Sequence, residues 1–423
     1  MKIRTIFSVI LIAVLTISFI VALVHFKQKS PEQSSTNGGI EGAETAPKST
    51  PTSTLERQNE TSLTGEPPAA GNESSIIAPS YMGFFAPQLF SQIPIEVKYS
   101  KRFSMEIYDD SILLTDGQGR KIALVRSMSN VPSGKFDAII EVPVKRVVHL
   151  NEVAWYLWTL NRTDVLVGVS STNWYIDEIN RGLADGRIID VGSARSPDYE
   201  KIMNLKPDVV FLSVEFTGPT VAEKLESLGI KYVSIDAYKE QDPLARVEWI
   251  KFVGAFVDKL YEATKYFNSV EGEVLRITQL TKVDSIKPRV AYALLYSRGI
   301  SIPGGESYHR MLVEIVNGKY IFDYLPGSGY VSLNKEEFLA KVAEADVYIA
   351  IYMGTPIDRV ADLSQYVPEI VNCKPFLAGR VYAMQPWFWQ YICKIDVIAK
   401  DLAAILYPEM FPNHQLTMFK RIS

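Results

Sequence analysis

The sequence predicts an α/β protein of two lobes, each with a mostly parallel sheet flanked by helices. One long helix bridges the lobes, and a β-rich segment precedes the first. Three observations predict this. Short apolar strands alternate with amphipathic helices in two separate blocks, from 144 to 241 and from 289 to 408, as in parallel sheets covered by helices. Between the blocks, Val247, Ile250, Val253, Phe256 or Val257, Leu260, Ala263, Phe267, Val270, Val274 and Ile277 recur at steps of three and four, which places them on one helical face. Ahead of the blocks, residues 84–143 alternate with period two around the turn DGQG.

Taken in order, the chain opens with Lys2, Arg4 and an apolar run from Thr5 to Val24. About 20 residues cross a bilayer as a helix. The run has no clear small-x-small cleavage site and no cysteine behind it, so residues 1–27 are expected to be a membrane anchor, the alternative being a cleaved signal. Residues 28–80 are rich in Ser, Thr, Pro, Gly, Asn and Glu. They have too few large apolar residues to bury a core and are expected to form a flexible stalk. Asn59 and Asn72 lie there in glycosylation sequons, and Asn161 lies in a third within the folded part. Anchor and stalk together place the folded part outside the cytoplasm.

Residues 81–241 are expected to hold the β-rich segment and the first lobe. In that lobe RVVHL, DVLVGVS, IIDVG, DVVFLS and KYVSID are strands, with helices between them. Ser196 with Pro197 is expected to cap the helix of SPDYEKIMNL, because Ser is a favoured N-cap and Pro suits the first turn. Residues 242–282 are expected to be one continuous helix. Asp242 is its N-cap, Pro243 its first residue, and Gly254 an interior glycine costing about 1 kcal/mol. About forty residues at 1.5 Å each give a strut of about 60 Å. Residues 283–423 form the second lobe, with strands RVAYALLY, DVYIAIYM and RVYAM. Its helices are SYHRMLVEIV, KEEFLAKVAEA and the terminal KIDVIAKDLAAILYP. Asn334 with Glu337 three residues on makes a capping-box start.

Composition narrows the function. The net charge is −4, without the basic stripe of a nucleic-acid binder. No nucleophile-elbow, phosphate-loop or zinc-helix motif occurs. Four histidines without a clustered Asp/Glu set give no bare-metal site. The two cysteines, Cys373 and Cys393, flank the strand FLAGRVYAMQ. In an exported protein they would form one disulfide, the alternative being two small buried residues. The chemistry is expected in the loops at strand ends, where open α/β sheets bind ligands. The candidates are Tyr296, Arg298, Tyr308, Tyr330, Tyr352, Trp387 and Trp389 of the second lobe, facing Trp174 and His149 of the first. Aromatic rings with small residues and one arginine suit a bulky, partly apolar ligand with an anionic edge, which Arg298 would meet.

The run RVVHL…VGV…VGSARSPDYEKIMNLKPDVVFLS resembles the first lobe of substrate-binding proteins of iron–siderophore and cobalamin ABC importers. Its phrase P-x-x-E-x-I-x-x-L-K-P-D-V-V carries most of the likeness. IPGGESYHRMLVEIVNGKYIF resembles that family's second-lobe opening, and AGRVYAMQPWFWQY…DLAAILYPEMFP its ending. The resemblance covers about Val142 to Pro412. It implies a non-enzymatic monomer that captures a metal chelate at the cell surface and delivers it to a permease dimer driven by a cytoplasmic ATPase. An iron–siderophore complex is the first expectation, with haem or cobalamin as alternatives. A direct zinc or manganese binder, a chelatase-like enzyme and a sensor or adhesin ectodomain are the other readings. The resemblance also implies one permease-docking Glu per lobe. Glu200 matches the first-lobe phrase. In the second lobe the expected position holds Met311, and Glu314 lies one turn away.

Overall fold

The computed structural model describes residues 95–150, 154–171, 173–283 and 287–423. The expected anchor, the stalk, Asn59 and Asn72 lie outside the described residues. Among the described residues no helix is long and apolar enough to cross a membrane.

The β-rich segment forms a four-stranded sheet of β1 (Ser104–Ile107), β2 (Ser111–Thr115), β3 (Lys121–Val125) and β4 (Ala138–Glu141), in that spatial order. β1–β2 and β2–β3 pair antiparallel and β3–β4 parallel. The DGQG turn closes on the Asp116 carboxylate, which accepts from the amides of Gln118 and Arg120.

The first lobe follows as β5 (Val147–His149), α1 (Trp155–Thr159), β6 (Leu166–Val169), α2 (Asp177–Ala184) and β7 (Ile189–Asp190). A small hairpin, β8 (Gly192–Ser193) with β9 (Ser196–Pro197), leads into α3 (Tyr199–Leu205) and β10 (Val209–Leu212). Then come α4 (Val214–Thr217), α5 (Pro219–Ser227) and β11 (Tyr232–Ser234). The sheet runs β11-β10-β5-β6-β7 with every pairing parallel. Its inner strands are buried on both faces, which is why VVFL and LVGV carry no polar alternation. The cap of α3 differs from expectation. Ser196 and Pro197 are spent in the β8–β9 hairpin, and the Asp198 carboxylate accepts from the Lys201 amide at 3.0 Å instead. The sequon at Asn161 lies exposed just past α1.

The stretch expected to be one helix is two, α6 (Pro243–Phe256) and α7 (Leu260–Leu280). Asp242 caps α6 as expected, accepting from the Leu244 amide. The chain leaves the helix at Val257 and turns at Asp258, whose φ is +59°. It then folds back on itself. A Cβ on Gly254 would lie 2.8 Å from the Ala263 Cβ and 2.9 Å from the Lys259 carbonyl oxygen. The Lys251 ammonium sits 4.0 Å over the Phe267 ring, and Glu248 and Glu271 hold the same residue, Tyr99. These pairings run in opposite directions along the two helices, so they form an antiparallel hairpin. Gly254 is therefore the residue that lets the helices meet. The apolar period crossed the break unbroken because both helices bury a face, and α6 is buried along its whole length. The long helix that leads to the second lobe is α7, 21 residues or about 32 Å.

The incoming segment at 96–101 is strapped onto this hairpin. The buried Glu248 carboxylate accepts the backbone amides of Lys98, Tyr99 and Ser100 and pairs with the Lys251 ammonium at 2.9 Å. Lys251 also donates to the Glu96 carbonyl.

The second lobe begins with β12 (Arg289–Tyr296), β13 (Gly299–Pro303), α8 (Tyr308–Ile315), β14 (Lys319–Tyr320) and β15 (Tyr330–Leu333). It continues through α9 (Lys335–Val342), β16 (Val347–Ala350), α10 (Ala361–Ser364), α11 (Lys374–Leu377) and β17 (Val381–Met384), and closes with α12 (Ile395–Leu406) and β18 (Phe419–Arg421). The sheet runs β15-β13-β12-β16-β17-β18, with β14 beside β12. Its centre is parallel and its margins antiparallel. Asn334 caps α9, accepting from the Glu337 amide at 2.8 Å. The edge strand β18 was not anticipated. It is held by Asp401 on α12, which accepts from His414 Nε2 and the amides of Thr417 and Met418.

The expected disulfide is absent, since Cys373 and Cys393 are both free and buried. They pack against different elements. Cys373 Sγ faces the Leu339 carbonyl of α9 at 3.8 Å, whereas Cys393 meets the Tyr156 hydroxyl of α1. Each is a small residue filling its own part of the core.

Candidate functional site

Residues of the two lobes meet in a seam built around one arginine. Arg246 lies in the first turn of α6 and is 8% exposed. Its Nε donates to the Glu240 carbonyl at 2.7 Å and Nη2 to the Tyr238 carbonyl at 2.8 Å. The Tyr156 hydroxyl donates to its backbone carbonyl. So held, the guanidinium lies 3.7 Å over the ring of Tyr308, the first residue of α8 in the second lobe.

The PGG turn before α8 decides where Tyr308 stands. A Cβ on Gly304 would lie 2.2 Å from the Gly327 carbonyl oxygen, and one on Gly305 would lie 2.1 Å from that of Asp323. Only glycines let this turn pass so close to the 323–327 loop. Ser307 then caps α8 by accepting from the Arg310 amide.

His309 follows and is enclosed by aromatic rings. Centroid distances are 5.2 Å to Tyr292, 6.2 Å to Tyr308, 6.0 Å to Tyr330 and 5.7 Å to Trp389. Burial first, and then the nearby Arg246 charge, pull its pKa down to about 3. The ring is thus neutral at physiological pH, with a nitrogen lone pair to offer. His309 Nε2, the Tyr292 hydroxyl and the Tyr308 hydroxyl are buried without a hydrogen-bond partner among the described residues. Buried polar atoms are nearly always satisfied, so three together mark a place suited to a polar or metal-bearing ligand. Among the described residues no group of His, Cys, Asp and Glu is arranged to hold a bare metal ion.

Of the residues singled out in the sequence, Tyr308, Tyr330 and Trp389 come together around His309. Trp387 and Tyr352 both meet Tyr175 of the first lobe. Trp387 Nε1 donates to the Thr417 carbonyl and Trp389 Nε1 to that of Tyr352. Burial, then a hydrogen bond with Tyr175, pushes the Tyr352 hydroxyl up to about 12. Trp174 is 6% exposed, with Nε1 on the Ser171 carbonyl. The others are not brought in. His149 is buried in the first sheet with its ring 6.2 Å from Phe211. Tyr296 sits in the β12–β13 hairpin beside Ser301. Arg298 is exposed at that hairpin's turn. The cation held in the seam is Arg246, stacked on Tyr308.

Arg246 and Tyr292 were not singled out in the sequence, and His309, which opens a second-lobe helix, was left out of the candidate set. The signal for Arg246 was present, since it stands among Leu244, Ala245, Val247, Trp249 and Ile250, where only a paired or functional charge survives burial. Of the two docking candidates, Glu200 is exposed in the first turn of α3, while Glu314 is exposed and ion-paired with Arg310 at 2.7 Å.

A family model described as periplasmic binding protein matches residues 151–363. An uncharacterized lipoprotein of Methanocaldococcus jannaschii is 31% identical over 353 residues, covering 76% of this chain and 84% of that protein. A second lipoprotein of the same organism is 28% identical over 333 residues, covering 74% and 83%. Among solved structures, Helicobacter pylori CeuE in a nickel–histidine complex superposes with a TM-score of 0.55 at 17% identity, covering 71% of this chain and 90% of that one. A periplasmic haem-binding protein of Pseudomonas aeruginosa gives 0.54 at 16% identity, covering 66% and 98%. At such identities the likeness to solved structures is one of fold.

Proposed function

The chain belongs to the periplasmic binding protein family, and from that premise we propose that it captures a metal chelate outside the cell and delivers it to an ABC permease. The observation that carries this reading is the seam itself. A guanidinium fixed by two backbone carbonyls suits an anionic ligand edge. The ring cage around neutral His309 suits a bulky ligand presenting a metal. The fixed positive charge of Arg246 disfavours a bare cation, so the metal would arrive inside an anionic chelate. Structural neighbours named for a nickel–histidine complex and for haem support the same class. Capture and release involve no bond chemistry, and the protein acts as a carrier rather than an enzyme.

An iron–siderophore complex remains the first reading. Haem is the second, favoured by one observation, the neutral imidazole with an unpartnered Nε2 among tyrosines. For transfer, Glu200 is the docking residue toward permease arginines, with Glu314 as its second-lobe counterpart. The relatives are named lipoproteins, but no cysteine precedes the folded part of this sequence. The apolar run from Thr5 to Val24 would anchor the protein in the lipid's stead.

The test is a fluorescence titration of the full chain with ferric siderophores, haemin, nickel–histidine and cobalamin. At least one should bind with a Kd of about 1 μM or tighter, equivalent to about −8 kcal/mol. Arg246→Gln should weaken an anionic chelate at least about tenfold. A Soret shift lost in His309→Ala would select haem. Failure of all four classes to bind would refute the function.

A further inference from the structure

We propose that Tyr175 of the first lobe is the tongue of a latch held by Gln390 and Tyr391 of the second, and that this latch governs passage into the seam. The observation is that both backbone polar atoms of Tyr175 are engaged by side chains of the second lobe. Its amide donates to Gln390 Oε1 at 2.8 Å, and its carbonyl accepts from the Tyr391 hydroxyl at 2.8 Å. Its own hydroxyl interacts with that of Tyr352, one of the causes that raise the Tyr352 pKa. Its ring lies 6.1 Å from that of Trp387, nearly edge-on.

Gln390 is suited to this by chemistry. Its Nε2 also donates to the Asn173 carbonyl at 2.7 Å. One carboxamide thus accepts from residue 175 and donates to residue 173, flanking Trp174 as a neighbouring parallel strand would. A carboxamide carries a donor and an acceptor side by side, and Gln390 uses both on the 173–175 backbone. The 387–394 turn is itself seated on the first lobe. Tyr391 stands edge-on to Trp158 at 5.7 Å, and the Lys394 ammonium lies over the Trp158 ring at 5.2 Å.

The latch closes over the atoms described above. His309 Nε2 and the Tyr308 hydroxyl lie buried behind the segment that also carries Trp389. A solute reaching them has to displace this segment, so the latch sets a closing equilibrium that entry and release must both pass. Single exposed hydrogen bonds contribute little. The latch acts because four contacts converge on one residue.

The test has one arm that needs no solute and one that rests on the metal-chelate reading. The first is amide hydrogen exchange of Tyr175 in the full chain. Gln390→Ala should raise its exchange about tenfold, with the interior amides of α7 unchanged as the control for folding. Gln390→Asn keeps the carboxamide but withdraws it by one methylene, and should behave as Gln390→Ala does. Native exchange at Tyr175 in both variants would overturn the latch. In the second arm, release of a bound chelate should accelerate about tenfold in Gln390→Ala and less in Tyr391→Phe. Faster exchange with unchanged release would overturn the gating role. Faster exchange in a protein that binds no chelate would uphold the latch and refute the proposed function instead.

Discussion

His309 should make this protein acid-sensitive by an amount that can be worked out. Its pKa falls from 6.5 to about 3 in the folded state, through burial and then the Arg246 charge. The unfolded chain therefore binds the extra proton across the window between those values, so stability rises with pH there and is lost as pH falls below about 6.5. At about pH 7 the two states differ by only a few tenths of a kcal/mol. At about pH 4 the unfolded state is favoured through this residue by about 3 kcal/mol. His309→Gln keeps a polar side chain of similar reach and cannot titrate. Urea unfolding at both pH values should show native stability falling by about 3 kcal/mol more than that of the variant. Equal pH dependence in the two proteins would refute the placement of His309 in a buried cage beside a fixed cation.

Three further outcomes test other parts of the structure. Glu248→Ala strands three backbone amides and the buried Lys251 ammonium, so urea unfolding should show a loss of about 3–5 kcal/mol. A loss under about 1 kcal/mol would contradict the strap. Gly254→Ala should lower the melting temperature although it favours helix by about 1 kcal/mol, because its Cβ would lie 2.8 Å from that of Ala263. A rise would restore the continuous strut. Glu200→Lys should leave chelate affinity intact and slow uptake in reconstituted vesicles, and full uptake would remove Glu200 from docking.

Local physical chemistry carried a large part of the architecture. Strand and helix periods are set by which faces are buried, so RVAYALLY and VVFL declared themselves as strands. The cap at Asn334 depends on groups within one turn of each other, and it too was legible. What only the tertiary structure decided depends on residues far apart in sequence. Gly254 looked like a tolerated interior glycine until Ala263 and Lys259 were seen packed against it. Ser196 was a sound cap that the β8–β9 hairpin claimed first. Two cysteines twenty positions apart invited a bridge, yet each faces a different element. The aromatic loops were found because bulky rings at strand ends are conspicuous. Which cation they surround was not, because the Arg246–Tyr308 contact spans 62 positions and no local pattern encodes a pairing made by folding two lobes together.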